Sequence, residues 1–137
     1  MLLVISYYMS PKPIRPTDAE LEILTVLWSR GASTVREVYE SLRKRKKSVQ
    51  YATVLKFMQI MAQKGLLKRN DTDRAHVYEP AHSRETVQQQ LAGDLLERGF
   101  AWSMKNLLIG ALSARKASKE ELSELRKLLD EYEKGNR

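Results

Sequence analysis

Apolar residues recur every three to four positions along most of the chain, the spacing of helices that bury one face. Thr17-Asp-Ala-Glu20 has the form of a capping box, in which an N-cap Thr and a Glu three residues later satisfy each other's backbone donors. Leu21, Leu24 and Leu27/Trp28 then share a face, and Gly31 ends the helix. Thr34-Val-Arg-Glu37 repeats the signal before the stripe Val35, Val38, Tyr39 and Leu42. A third helix is expected from Ser48 as its cap, with Tyr51, Val54/Leu55, Met58 and Met61/Ala62 turned inward and Gly65 as its stop. Leu66–Asn70, the polar turn Asp71-Thr-Asp73 and Arg74–Glu79, halted by Pro80, predict a β-hairpin. Beyond it, Ser83 starts a helix with Val87, Leu91 and Leu95 four apart and Gly99 as its break. A further apolar stretch covers Trp102–Leu112, and Ser118-Lys-Glu-Glu121 opens a last helix striped by Leu122, Leu125, Leu129 and Tyr132.

Three helices followed by a ribbon is the order of a winged helix. The expected class is therefore mainly α with a small β-hairpin wing, a winged helix-turn-helix followed by a helical dimerisation segment. The expected parts are a disordered N-terminal tail at 1–13, a DNA-binding domain at 14–82 and a dimerisation domain at 83–137. The opening Met1-Leu-Leu-Val-Ile-Ser-Tyr-Tyr-Met9 is apolar but lacks a basic leader and the length to cross a bilayer, so it reads either as a disordered tail or as a misassigned start with Met9 as a candidate initiator.

Charge sharpens this picture. The net charge is +7 over 137 residues, and it is uneven: residues 1–80 hold 14 Lys/Arg against 8 Asp/Glu, whereas residues 81–137 hold 10 against 9. A concentrated positive excess suits a polyanion, because phosphates release condensed counterions when they are neutralised. The absence of cysteine excludes disulfides, thiolate catalysis and Cys-ligated metals, and fits a cytoplasmic protein. His76 and His82 lack partners for a metal site and read as ordinary strand or loop histidines. Neither a Ser/His/Asp order nor a phosphate-binding glycine loop is present, so no enzyme and no cofactor is expected.

In a helix-turn-helix the second helix of the pair presents its first turns to base edges, while nearby cations hold phosphates. Here that helix begins near Ser48, with Gln50, Ala52, Thr53, Lys56 and Gln59 facing out. Gln suits adenine, while Thr and Ala suit an edge or a thymine methyl, which favours an A/T-containing half-site. Tyr51 can bury its ring and leave its hydroxyl for a phosphate. The basic run from Arg43 through Lys44, Arg45 and Lys46 to Lys47 precedes the helix and would lie along the phosphate backbone. Arg69 and Arg74 flank the wing turn, where each either reaches DNA or pairs with Asp71 or Asp73. Trp28, Phe57, Met58 and Met61 are core residues rather than stacking platforms.

The motifs Tyr51-Ala-Thr-Val-Leu55, Lys64-Gly-Leu-Leu-Lys-Arg69 and Asp73-Arg-Ala-His-Val-Tyr-Glu-Pro80, with Thr17-Asp-Ala-Glu-Leu-Glu-Ile-Leu24 ahead of Leu27-Trp28, resemble the penicillinase-repressor (BlaI/MecI/CopY) family over about residues 14–133. The resemblance implies a dimer on a palindromic operator, repressing a resistance or homeostasis gene. It also implies release by metal or by an inactivating protease downstream of a membrane sensor. Thr53 matches the family's recognition-helix threonine, and Gln50, Ala52 and Lys56 fall on DNA-facing positions; Leu55 replaces a basic residue of staphylococcal members. In Met104-Lys-Asn-Leu-Leu-Ile-Gly-Ala111, Gly110-Ala111 stands where the protease-sensitive relatives have Asn-Phe, and without cysteine the thiolate copper sensing of another branch is excluded.

The tail is strongly patterned yet too thin to bury itself, so a second copy of the chain is the expected partner, beside double-stranded operator DNA. Leu91, Leu95, Trp102, Leu107, Leu108, Leu122, Leu125 and Leu129 are the expected interface. The alternative is a winged-helix module that docks a protein and carries its charge incidentally. RNA binding would want clustered exposed aromatics, and none fall outside presumptive core positions.

Overall fold

The computed structural model describes residues 14–71 and 75–135. The proposed tail at 1–13, including the Met9 start, lies outside the described residues, as does Arg74. Helix α1 is Asp18–Arg30, and its capping box forms as expected: Glu20 N donates to Thr17 Oγ1 (3.2 Å) and Thr17 N to Glu20 Oε1 (2.9 Å). It ends at Gly31, whose φ of +91° is a conformation that costs other residues steric strain. Thr34 caps α2 (Val35–Arg43) in the same manner through Glu37.

Helix α3 is Tyr51–Gln63, and its start corrects the expectation for Ser48. The first helical bonds run from Thr53 N and Val54 N to the carbonyl of Gln50, which is the N-cap and makes no side-chain cap. Ser48 sits two residues upstream in a turn closed by Val49 N on Lys46 O. At the other end, Leu66 N reaches Met61 O and Gly65 N reaches Ala62 O, the paired bonds of a left-handed C-terminal cap that Gly65 enters at φ +82°.

The hairpin is present but shorter than predicted, with β2 at Leu67–Asn70 and β3 at Val77–Pro80, in register Leu67↔Pro80 through Asn70↔Val77. A two-residue strand, β1 (Ser33–Thr34), adds antiparallel to the other edge of β3, giving the order β1-β3-β2. The sequence signal missed β1, since two residues carry no alternation and Thr34 already reads as a cap.

The core joins Ile23, Leu24 and Leu27 of α1, Val35, Val38 and Leu42 of α2, Val54, Met58 and Met61 of α3, and Leu66, Leu67 and Tyr78 of the ribbon. Trp28 and Phe57 pack against it half-buried, whereas Tyr51 is exposed, contrary to its inward assignment. Its ring instead stands edge-on to Tyr39, 5.7 Å between centroids. Being the first residue of α3, Tyr51 lies a turn before the stripe that starts at Val54.

Helix α4 is Arg84–Gly99, opened by Ser83 Oγ accepting from Thr86 N (3.1 Å). The chain forms two compact units that divide between Ala92 and Gly93, inside α4. Val87 is buried within the first unit, and Gln90 Oε1 there accepts from Ile14 N. The second unit contains α5 (Met104–Ala114) and α6 (Lys119–Gly135), neither of which buries a residue. Ser103 Oγ caps α5, and Ser118 Oγ accepts from Glu121 N, but the Glu121 carboxylate is taken by Arg115 at 2.8 and 2.9 Å. A tri-helical core with an antiparallel three-stranded ribbon is a winged helix-turn-helix.

Candidate nucleic-acid interface

Burial of Val54, Met58 and Met61 fixes which way α3 faces, because residues three and four apart share a side. The opposite side therefore presents Gln50, Ala52, Thr53, Lys56 and Gln59 to solvent, all exposed. Ala52, Thr53 and Lys56 share with Phe57 and Ile60 an open, mostly apolar depression of about 510 Å³. It offers one hydroxyl and one ammonium among methyl and methylene groups, a surface suited to a thymine methyl with a flanking polar edge.

At the N-terminal end of this face, Tyr51 is held from two sides. Tyr39 meets it edge-on, and the Arg36 guanidinium lies over its ring, 5.1 Å from the centroid. Arg36 was not among the residues singled out from the sequence; its only signal is that it lies one turn before Tyr39 on α2. The pair places a cation and a phenol side by side at the start of α3.

The basic run leaves α2 through a tight turn, with Arg45 N and Lys46 N both bonded to Leu42 O at 3.0 Å. Arg43, Lys44, Arg45, Lys46, Lys47 and Ser48 are all exposed. They are not equivalent, however, because Lys46 Nζ is engaged by Glu22 at 2.9 Å. A phosphate would have to compete for that ammonium.

On the wing, Arg69 Nε pairs with Asp71 Oδ1 at 2.9 Å, the ion-pair alternative left open by the sequence. Tyr78 and Asp71 together hold the guanidinium above its ordinary range. Desolvation pushes the Asp71 carboxyl up but is outweighed by His76, whose Nδ1 lies 2.7 Å away, and by Arg69, so the carboxyl sits below its usual range. Arg69, Asp71 and Tyr78 line a depression of about 660 Å³ together with Gln59 and Gln63 of α3, so the wing base and the C-terminal half of α3 form one surface.

The first unit also holds a buried carboxylate that the sequence marks only as a cap. Glu20 is buried, and Lys64 Nζ from the end of α3 donates to both its oxygens at 2.9 and 3.0 Å. Burial drives its pKa up, but the Thr17 backbone N–H and the Lys64 ammonium outweigh that and hold it below the usual glutamate range. The contact ties the start of α1 to the end of α3, fixing how α3 is presented.

Comparison with known proteins identifies which winged helix this is. The sequence model of the penicillinase repressor family matches residues 16–131, and the chain belongs to that family. It is 32% identical over 126 residues to the transcriptional regulator BlaI of Mycobacterium tuberculosis, covering 91% of this chain and 90% of the relative. It is 25% identical over 116 residues to the penicillinase repressor of Bacillus licheniformis, covering 85% and 90%. The solution structure of the DNA-binding domain of the repressor BlaI is also similar, at 26% identity over 56% of this chain and 93% of that one, with a TM-score of 0.48.

Proposed function

We propose that the protein is a sequence-specific DNA-binding repressor that acts as a cytoplasmic homodimer on a palindromic operator. The observation that carries this reading is the outward face of α3, where Gln50, Ala52, Thr53 and Lys56 stand exposed directly after the exposed basic run 43–47, in a chain of the penicillinase repressor family. Thr53 and Gln50 read base edges, Ala52 packs on a thymine methyl, and Lys56, Tyr51, Arg43, Arg45, Lys47 and Ser48 hold phosphates. Lys46 joins them by exchanging Glu22 for a phosphate. Arg69 and Arg74 serve the wing, and Arg36 adds a cation beside Tyr51.

The dimer interface falls on residues 83–133, where Leu95, Trp102, Leu108 and Leu129 are exposed and Leu91, Leu107, Leu122 and Leu125 are half-buried in the single chain. The gene controlled is one of β-lactam resistance or stress response. Release is by an inactivating protease downstream of a membrane sensor, cutting at a site other than Asn-Phe.

The test is a fluorescence-anisotropy titration of the full chain against duplex from its own upstream region and a scrambled duplex, at two salt concentrations. Preferential binding that falls by orders of magnitude with salt supports the reading; the expected loss is ~10³–10⁵-fold between low and moderate salt for six to ten phosphate contacts. Failure to bind either duplex moves the protein to the protein-docking alternative. Thr53→Ala should cost about 1 kcal/mol on the operator and little on scrambled DNA. Arg45→Ala with Lys46→Ala should weaken both duplexes and flatten the salt slope.

A further inference from the structure

Away from the outward face of α3, the first unit contains a cleft of about 450 Å³ whose lining includes no residue of α3 or of the hairpin. Its charged groups come from three elements: Arg30 from the last turn of α1, Arg45 from the turn after α2, and Arg84 from the first turn of α4, beside three hydroxyls and the Gln88 amide. Trp28 forms an apolar wall. Three guanidiniums thus share one concavity with no carboxylate in its lining. Glu37 compensates Arg30, whereas Arg45 and Arg84 bring two further positive charges to the same concavity, which favours an anion there.

Two of the three are positioned in advance. Arg30 is anchored by Glu37 at 3.0 Å, which engages one of its donors, and Arg84 lies over the Trp28 ring, 5.9 Å from the centroid. Trp28 is itself fixed by its Nε1, which donates to His82 O at 3.3 Å. Guanidinium forks match carboxylate and phosphate oxygens in pairs, and preset forks lose less freedom on binding. The volume is that of small-molecule sites, which combine an apolar wall with a few converging polar groups. A phosphodiester backbone would leave the indole wall unused.

We propose that this cleft binds a small organic anion, a flat carboxylate or phosphate ester. Its charged group is held by Arg45 and Arg84 with Arg30 beside them, and its apolar body lies against Trp28. Because Arg45 also belongs to the basic run assigned to DNA, occupancy withdraws a phosphate contact and makes the anion an effector of operator binding. That second half rests on the DNA reading above; the anion site does not.

In the full wild-type chain, Trp28 is told from the second tryptophan, Trp102, by the indole resonance that survives in Trp102→Phe. Its indole N–H is followed by ¹⁵N–¹H NMR at constant ionic strength during titration with benzoate, with the neutral isostere benzamide, and with inorganic phosphate. The expected result is a saturable shift with benzoate in the millimolar range and none with benzamide. Adding Arg45→Gln or Arg84→Gln should weaken benzoate at least tenfold while the circular dichroism spectrum is kept. Equal responses to benzoate and benzamide, saturation by phosphate alone, no saturable shift by any anion, or wild-type affinity in both glutamine variants would each overturn the proposal. Since this titration contains no DNA, its failure is distinct from failure of operator binding. The effector half then predicts that saturating benzoate lowers affinity for the upstream duplex several-fold in the parent and leaves the Arg45→Gln variant unchanged.

Discussion

Glu20 shows how one side chain can serve local and tertiary structure together. Its cap on Thr17 is legible in the sequence, because the two lie three residues apart; its partner Lys64 is 44 residues away and comes from another helix. Since the folded carboxyl titrates below the ordinary glutamate value of 4.5, its contribution to stability is present above that pH and is lost as pH falls through the folded value. Denaturant unfolding along a pH series should therefore show the advantage of wild type over Glu20→Gln shrinking on acidification below about pH 4.5. Lys64→Met leaves the buried carboxylate with Thr17 alone and should cost about 1–3 kcal/mol at neutral pH, a figure set by the unpaired buried charge and reduced by Lys64 being partly exposed.

Helix α3 starts later than its sequence signal, and its two ends differ in kind. Its C-terminus is encoded locally by Gly65, whose φ of +82° no side chain adopts cheaply; Gly65→Ala should lower stability by about 1 kcal/mol, read as a shifted denaturant midpoint with unchanged slope. Its N-terminus has no local encoding of that strength. Ser48 has the chemistry of a cap, but the turn after α2 uses that residue, and the helix begins where the Gln50 carbonyl first finds donors. By contrast, α1 and α2 start where their capping boxes say they should. Thr34→Ala should destabilise by about 1 kcal/mol, and more if the β1–β3 pairing at Thr34↔Val77 loosens with it.

At the scale of the molecule, the two units differ in how they satisfy their apolar residues. The first closes a core around three helices and a ribbon. In the second, α5 and α6 bury none of their residues, and Trp102, Met104, Ile109, Leu128 and Tyr132 are exposed beside the leucines expected at an interface. Apolar area on that scale is normally covered by a partner, and in the proposed dimer a second copy would cover it symmetrically, as binding to two half-sites requires. Light scattering after size exclusion should give twice the 15.8 kDa chain mass at micromolar concentration, and Leu108→Asp with Leu129→Asp should return it to one chain and weaken operator binding.

What the sequence determined by itself was whatever depends on neighbours within a turn or two: capping boxes, helix stripes, glycine stops, the hairpin, and an exposed face on α3 once its apolar side was known. The motifs around Thr53 and Gly65 also carried the family. Only the tertiary structure decided the exposure of Tyr51 and its stack with Arg36 and Tyr39, the Glu20–Lys64 bond, the occupation of Lys46 by Glu22 and the two-residue β1. The same holds for the meeting of Arg30, Arg45 and Arg84 in one cleft. Each of these joins residues from different elements, and a pairing between elements follows from how their buried faces pack, which no local periodicity records.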